Sequence, residues 1–197
     1  MPHGPEEIEL QNDAAALGLE PGIVRLVDYN PRWPGLFEAE AARLRRNLEG
    51  RIGQIEHIGS TAIPGMPAKP VLDMMASVQT LRDAEQMVPD LEAIGYAWSM
   101  RDMQDVPDRR YFVRRREDGA TTHHLSLSRR SSGFWQAQLA FRDRLCTHPD
   151  THEAYARLKQ DLARRFSCDR HSYVEEKGPF VAKVVKAATA MGRARTG

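Results

Sequence analysis

Few features of this sequence point to a specialised compartment. It contains only two cysteines, Cys146 and Cys168, and their spacing matches neither a zinc site nor a CxxC motif. No apolar run approaches the roughly 20 residues that a membrane helix needs. The first residues lack a basic region followed by an apolar stretch, so no secretory signal is expected. We therefore expect a protein of the reducing cytoplasm with no membrane partner.

An excess of charge of one sign is also missing. The 28 Lys and Arg residues nearly balance the 27 Asp and Glu residues, which gives a formal net charge of +1. Such a chain shows no global attraction to nucleic acid. Arginines do cluster between residues 109 and 116, so a local anion site remains compatible with the composition. A small-molecule substrate is the expected partner, nucleic acid is not, and the oligomeric state stays open.

Two common enzyme signatures are absent. No GxxxxGK[ST] motif occurs, which excludes a P-loop kinase, and no elbow motif supports a Ser-His-Asp triad. The sequence shows no internal repeat and no low-complexity segment. Its 197 residues suffice for one sizeable domain. We expect an acidic, Ala-rich extension over residues 1–22, with a short helix from Glu6 to Leu17, followed by a single domain over residues 23–192.

Strand signals come first in the chain and helical signals come last. The predicted strands are Ile23–Val27, Gln54–Ile58, Val71–Val78, Tyr111–Val113 and His123–Leu127. The predicted helices are Trp33–Leu48, Leu81–Ile94, Phe134–Cys146, His152–Phe166 and Tyr173–Met191. This order predicts an α+β domain with a helical C-terminal third.

One stretch carries the residues suited to chemistry. A Gly59-Ser60 turn after a strand exposes backbone N–H groups and a hydroxyl, which can cradle phosphate oxygens. On the next strand, the Asp73 carboxylate can hold Mg²⁺ against the same oxygens, and Lys69 can add positive charge. Nucleotidyl transfer needs this layout. The alternative is structural: Gly59 only allows a turn, and Asp73 is an ion-paired core carboxylate.

Alternation along the strand predicts the direction in which the Asp73 side chain points. Leu72 and Met74 point to one face, and Asp73 and Met75 to the other. We therefore expect Asp73 in the same cleft as Ser60, within reach of a shared metal ion. A buried carboxylate needs a balancing cation, and the candidates are Lys69, Arg110 or a divalent ion.

The run HIGSTAIPGMPAKPVLDMMASV at residues 57–78 closely resembles the signature of the GrpB (UPF0157) family. The likeness continues in VxYNPRW, RRYFV, HHLSL and LAFRDRL, then at Tyr155, Leu158-Lys159 and from Tyr173 to Lys177. It covers about Ile23 to Ala190. The resemblance implies a nucleotidyltransferase-like mixed β-sheet with flanking helices, in a superfamily that transfers nucleotidyl groups to small molecules, proteins or RNA.

Residues and resemblance together predict the site. The catalytic candidates are Asp73, Ser60 and His124. The substrate-binding candidates are Gly59, Thr61, Lys69, Arg110, Tyr173 and Lys177. Asp73 is also the predicted ligand of Mg²⁺ or Mn²⁺, with an NTP as substrate. Alternatives stay open: His124 as a core histidine, Tyr173 and Lys177 as packing residues, and His57 as either a support of the turn or a site residue. For Arg142 and Lys159, a structural ion pair is at least as well supported as a substrate contact.

Two departures from the superfamily pattern affect which reaction the site can perform. Met75 stands where a second carboxylate belongs, and a thioether is a poor ligand for Mg²⁺. Ser126 stands where the family has a second histidine. We expect a nucleotidyltransferase-like enzyme acting on a nucleotide or another anionic small molecule. The alternatives are a ligase or condensing enzyme on the same scaffold, and a catalytically degenerate ligand-binding protein.

Overall fold

A computed structural model of the chain describes residues 16–99 and 106–194. Its strands are β1 (Ile55–Ile58), β2 (Leu72–Ser77), β3 (Tyr96–Trp98), β4 (Arg109–Arg115) and β5 (Thr121–Ser128). Its helices are α1 (Trp33–Asn47), α2 (Leu81–Gln86), α3 (Val88–Ala93), α4 (Gly133–Thr147), α5 (Pro149–Arg165) and α6 (Arg170–Ala194), with a 3-10 turn at Ser60–Ala62. The predicted helix from Glu6 to Leu17 lies almost wholly outside the described residues.

The five strands form one mixed sheet in the order β1-β2-β5-β4-β3. Strands β2 and β5 run parallel, and the other neighbouring pairs are antiparallel. In this register Asp73 lies opposite Ile58 on one side and opposite His124 on the other. The parallel pair at the centre thus brings two predicted site residues side by side.

Each face of the sheet is covered by helices. On one face Leu72 and Met74 join the main core, with residues of α1, α2 and α3. On the opposite face Met75 packs with Ile58 and with Trp135 of α4. The structure thus confirms the expected alternation around Asp73, and it confirms the α+β class with a mixed sheet, flanking helices and a helical C-terminal third.

Three local predictions differ from the structure. The segment Ile23–Val27 forms no strand, because only Val27 makes a bridge, to Ala68, and Val24 packs against the C-terminal helices. The predicted helix Leu81–Ile94 is broken at Met87, and Pro89 lies in the first turn of α3, where its missing N–H costs least. The short strand β3 has no counterpart among the predictions.

The C-terminal third packs as a helical layer. The side chains of Phe141 from α4, Tyr155 from α5 and Val184 from α6 form one apolar cluster. Helix α6 continues through Pro179. In the described ranges, no helix combines the length and hydropathy that a membrane span requires.

Candidate functional site

A cavity of about 600 Å³ lies between the sheet and the C-terminal helical layer. Eight of the nine predicted site residues line it: Gly59, Ser60, Thr61, Lys69, Asp73, His124, Tyr173 and Lys177. They come from the turn after β1, from the loop before β2, from strands β2 and β5, and from α6. The fold therefore gathers one polar site from segments that lie far apart in the sequence.

The turn after β1 requires glycine at position 59. Gly59 has φ 69° and ψ −171°, a region of backbone space that only glycine adopts readily. A Cβ atom at this position would also overlap the carboxylate of Asp73. His57 supports the turn from behind, since its Nε2 lies 2.9 Å from Thr61 Oγ1 and its ring stacks on Phe37. Of the two interpretations of His57, the structure favours the supporting one.

Asp73 and His124 form a hydrogen-bonded pair at the cavity floor. His124 Nδ1 lies 2.8 Å from Asp73 Oδ1. The position of Asp73 deep in the fold would raise the pKa of its carboxyl, but the His124 hydrogen bond and the charges of Lys69 and Lys177 outweigh that effect and lower it. The Asp73 side chain still keeps 38% of its surface exposed, toward the cavity that it lines.

The second ring nitrogen of His124 is unsatisfied. Nε2 is buried and has no hydrogen-bond partner. His124 as a whole is 7% exposed, and it lines the cavity. A buried polar atom without a partner costs about 1–3 kcal/mol. With this nitrogen unpartnered, His124 is not the fully satisfied core histidine of the alternative interpretation.

Positive charge dominates the cavity. Five cationic side chains line it: Lys69, Arg109, Lys159, Arg170 and Lys177. Burial, with the charges of Lys177 and Arg170, lowers the pKa of Lys69 to about 8. Burial, with the charges of Lys177 and Lys69, lowers the pKa of Lys159 to about 6. An anion in the cavity would relieve this repulsion.

Lys159, which was not among the predicted site residues, lines the same cavity. It is 2% exposed, and its Nζ donates to Ser60 Oγ at 2.9 Å and to the Pro67 carbonyl oxygen. The expected structural ion pair is therefore replaced by a contact with the site itself. A signal was present in the pattern, because Lys159 shares the buried face of α5 with Tyr155 and Leu162, at spacings of four and three residues.

Arg110 is the predicted site residue that the structure places elsewhere. Its guanidinium bonds Glu85 at 2.7 Å on the far side of the sheet. Strand alternation instead turns Arg109 into the cavity, where it stacks over the rings of Tyr111 and Phe134. Arg142 is a structural ion-pair residue that bonds Glu56 at 2.6 Å.

The donor set does not fit a resident divalent metal. Asp73 is the sole carboxylate among the described cavity-lining residues, and in residues 16–99 and 106–194 no three His, Cys, Asp or Glu side chains form a metal-binding group. Met75, at the position of the second carboxylate, is fully buried beneath Trp135. For the expected Mg²⁺ or Mn²⁺, the described lining therefore offers Asp73 as its one carboxylate ligand.

A second cavity, of about 870 Å³, lies against α1 and the distal ends of β4 and β5. Its buried carboxylate, Glu40, accepts hydrogen bonds from Arg43, Arg114 and Tyr96. Its central carboxylate is therefore already neutralised by two arginines of the protein. The cavity around Asp73 is accordingly the candidate site.

The family model described as GrpB protein matches residues 23–187. The chain belongs to the GrpB family. It is 35% identical to the UPF0157 protein of Halalkalibacterium halodurans, over 85% of this chain and 83% of that one. The crystal structure of GrpB from Enterococcus faecalis matches with a TM-score of 0.75 at 30% identity, over 83% of this chain and 96% of that chain. A crystal structure of the Cid1 poly(U) polymerase bound to MgATP matches with a TM-score of 0.42 at 12% identity, over 68% of this chain and 45% of that chain.

Proposed function

We propose that this GrpB protein is an enzyme that binds an anionic small molecule and transfers a group from it to a small acceptor, with a nucleoside triphosphate as the first candidate donor. The observation that carries this proposal is the charge of the cavity, which is lined by five Lys and Arg side chains and by a single carboxylate. Oriented cations that neutralise developing negative charge are a large part of the catalysis of phosphoryl and nucleotidyl transfer.

The Asp73–His124 pair suits proton removal from the acceptor. The Nδ1 of His124 faces Asp73, so the free Nε2 can accept a proton from an acceptor hydroxyl or amine. The Asp73 carboxylate would then stabilise the imidazolium that forms, and would hold the ring in its orientation. Lys69 and Lys177 lie close enough to Asp73 to lower the pKa of its carboxyl. An anion bound by these two lysines would therefore lie beside the same pair.

Calorimetric titration with ATP, GTP, CTP and UTP tests this proposal, each with Mg²⁺ and with EDTA. We expect binding of at least one nucleotide at millimolar concentration or below, weakened at least tenfold when Lys177 is replaced by methionine. Lys183→Met on the exposed outer face of α6 is the matched control and should bind normally. Absence of binding by all four nucleotides under both conditions would contradict the choice of donor.

A second candidate follows from Met75. Because this side chain is fully buried against Ile58 and Trp135, the paired carboxylates of a two-metal enzyme are missing from the described site. Ligation or condensation of an anionic metabolite without a metal ion is consistent with this site. Activity that persists in EDTA without nucleotide would favour this candidate. Met75→Asp is a poor test of it, since the new carboxylate would be buried without a partner.

A further inference from the structure

The side chains of Ser60 and Lys159 meet at the wall of the cavity that also contains the Asp73–His124 pair of the proposed function. Lys159 Nζ lies 2.9 Å from Ser60 Oγ. Ser60 is half-buried and lines the cavity, so a bound molecule can reach its hydroxyl. We infer that Ser60 is a nucleophile and Lys159 its general base, in a metal-independent acyl transfer from an anionic ester or thioester.

The contact that a protonated Lys159 donates to Ser60 Oγ reverses when Lys159 is a neutral amine, and the Ser60 hydroxyl then donates to Nζ. A neutral amine has two N–H groups and one lone pair. The Pro67 carbonyl oxygen accepts one N–H and thereby fixes the nitrogen beside Ser60. The lone pair can then take the Ser60 hydroxyl proton. Serine–lysine pairs act in this way on several unrelated folds.

The surroundings of Lys159 favour loss of its proton. Lys69, Lys159 and Lys177 share one cavity with a single carboxylate, and Lys159 is the most deeply buried of the three, at 2% exposure. Burial and like-charge repulsion both disfavour a protonated amine. A lysine desolvated next to other cations is a recognised way to obtain a base that is active near neutral pH.

The cavity walls indicate the class of substrate. Lys69, Lys177 and Arg170 select a group that carries negative charge. Phe141, Val181 and Val185 line the helical side of the same cavity and suit a hydrocarbon portion. An ester or thioester with an anionic group and an apolar segment matches both parts. The acyl transfer needs neither a nucleotide nor the Asp73–His124 pair, so its test is independent of the test of the proposed function.

The reaction balances in two steps. Ser60 Oγ bonds to the carbonyl carbon while its proton passes to Lys159 Nζ; the bond to the leaving alcohol or thiol then breaks, and Lys159 returns the proton to that leaving group. The acyl-serine is released when water, or a small amine or alcohol, attacks the same carbon. Lys159 removes the proton of the attacking molecule and gives it back to Ser60.

Acylation by mono-4-nitrophenyl succinate, which carries a carboxylate, tests the inference in buffer with EDTA. We expect nitrophenolate release together with a succinyl adduct on intact protein, which peptide mass spectrometry places on Ser60. The uncharged 4-nitrophenyl acetate should react at least tenfold more slowly. The rate should rise with pH through the Lys159 pKa of about 6, because the base acts when unprotonated. No adduct, or an adduct on another residue, would overturn the inference.

Two variants separate a base from a structural lysine. Ser60→Ala should abolish the adduct. Lys159→Arg keeps a long basic side chain, but this side chain stays protonated and cannot act as a base near neutral pH, so acylation should fall about 100-fold or more. Lys183→Met, outside the cavity, should leave the rate unchanged, and melting curves identify variants that fail to fold. If Lys159→Arg does not fold, Lys159→Met takes its place with the same expected loss. A folded Lys159 variant that acylates at the normal rate would refute the role of Lys159.

Discussion

At the scale of single residues, one carboxylate sets the charge balance of the cavity. Asp73 faces Lys69 and Lys177 and bonds His124 at 2.8 Å. Asparagine at this position would keep the shape and could still accept the His124 hydrogen bond, but it would remove the negative charge. Binding of an anion and turnover should therefore respond in opposite directions.

We predict that Asp73→Asn binds sulfate or a nucleotide at least as tightly as the natural protein, while turnover falls about 100-fold or more. Affinity rises because the repulsion between Asp73 and the anion is gone, and turnover falls because no carboxylate remains to stabilise the imidazolium of His124. Calorimetry and steady-state kinetics give the two values. Asp143→Asn, on an exposed carboxylate that bonds Arg142, is the control. An unfolded Asp73→Asn protein whose remaining folded fraction is fully active would make Asp73 a structural residue.

At the scale of elements, the turn between β1 and the 3-10 segment couples the backbone to the site. Gly59 combines a positive φ with close contact to Asp73, so a side chain here affects both the turn and the carboxylate. Gly65, in the following loop, also has positive φ, at 76°, but its Cβ position meets no atom within 4 Å. The two glycines therefore separate backbone strain from steric contact with the site.

We predict that Gly59→Ala destabilises the protein by at least about 2 kcal/mol, a fall in melting temperature of roughly 4–8 °C for a chain of this size. Anion binding should weaken as well, because Asp73 is displaced. Gly65→Ala should cost less and leave binding intact. Thermal unfolding and sulfate titration of both variants check this. Equal effects of the two substitutions on binding would show that the Gly59 turn has no specific role in anion binding.

The same elements show how far sequence reasoning reaches. Alternation along β2 predicts the face of Asp73 correctly, because apolar Leu72 and Met74 leave one choice for the core. The sequence of β4 does not show which arginine faces the cavity, because Arg109 and Arg110 are identical residues. Only the register of the sheet turns Arg109 toward the cavity. The position of the Lys159 side chain in the cavity depends on how α5 docks against the loop before β2. The two contacting residues are 92 positions apart in the sequence. Local patterns do not encode such contacts.

At the scale of the whole molecule, the charged cavity between sheet and helical layer links ligand binding to protons. The pKa of Lys159 is about 6 and that of Lys69 about 8 in the free protein. A bound anion favours the protonated forms and raises both pKa values. Binding therefore takes up protons at pH values above the free-protein pKa values, and anion affinity must fall as pH rises through them.

We predict that sulfate affinity decreases between pH 5 and pH 9, with the steepest losses above about pH 6 and again above about pH 8. Sulfate suits the test because its own charge is constant over this range. Calorimetry in buffers of different ionisation enthalpy counts the protons directly. Lys159→Met should remove the component near pH 6, whereas Lys183→Met should change nothing. A pH-independent affinity would mean that neither lysine contacts the anion.

The cavity also has a consequence for how the protein acquires its site during folding. Ser60 comes from the turn after the first strand, His124 from the last strand to form in sequence order, and Lys177 from the final helix. The floor of the site can therefore exist only after β5 has inserted beside β2, and its roof only after α6 has docked. Contacts between residues so distant in sequence form slowly. A nascent or truncated chain that lacks α6 would lack one wall of the cavity, so we expect ligand binding to report completion of the entire fold.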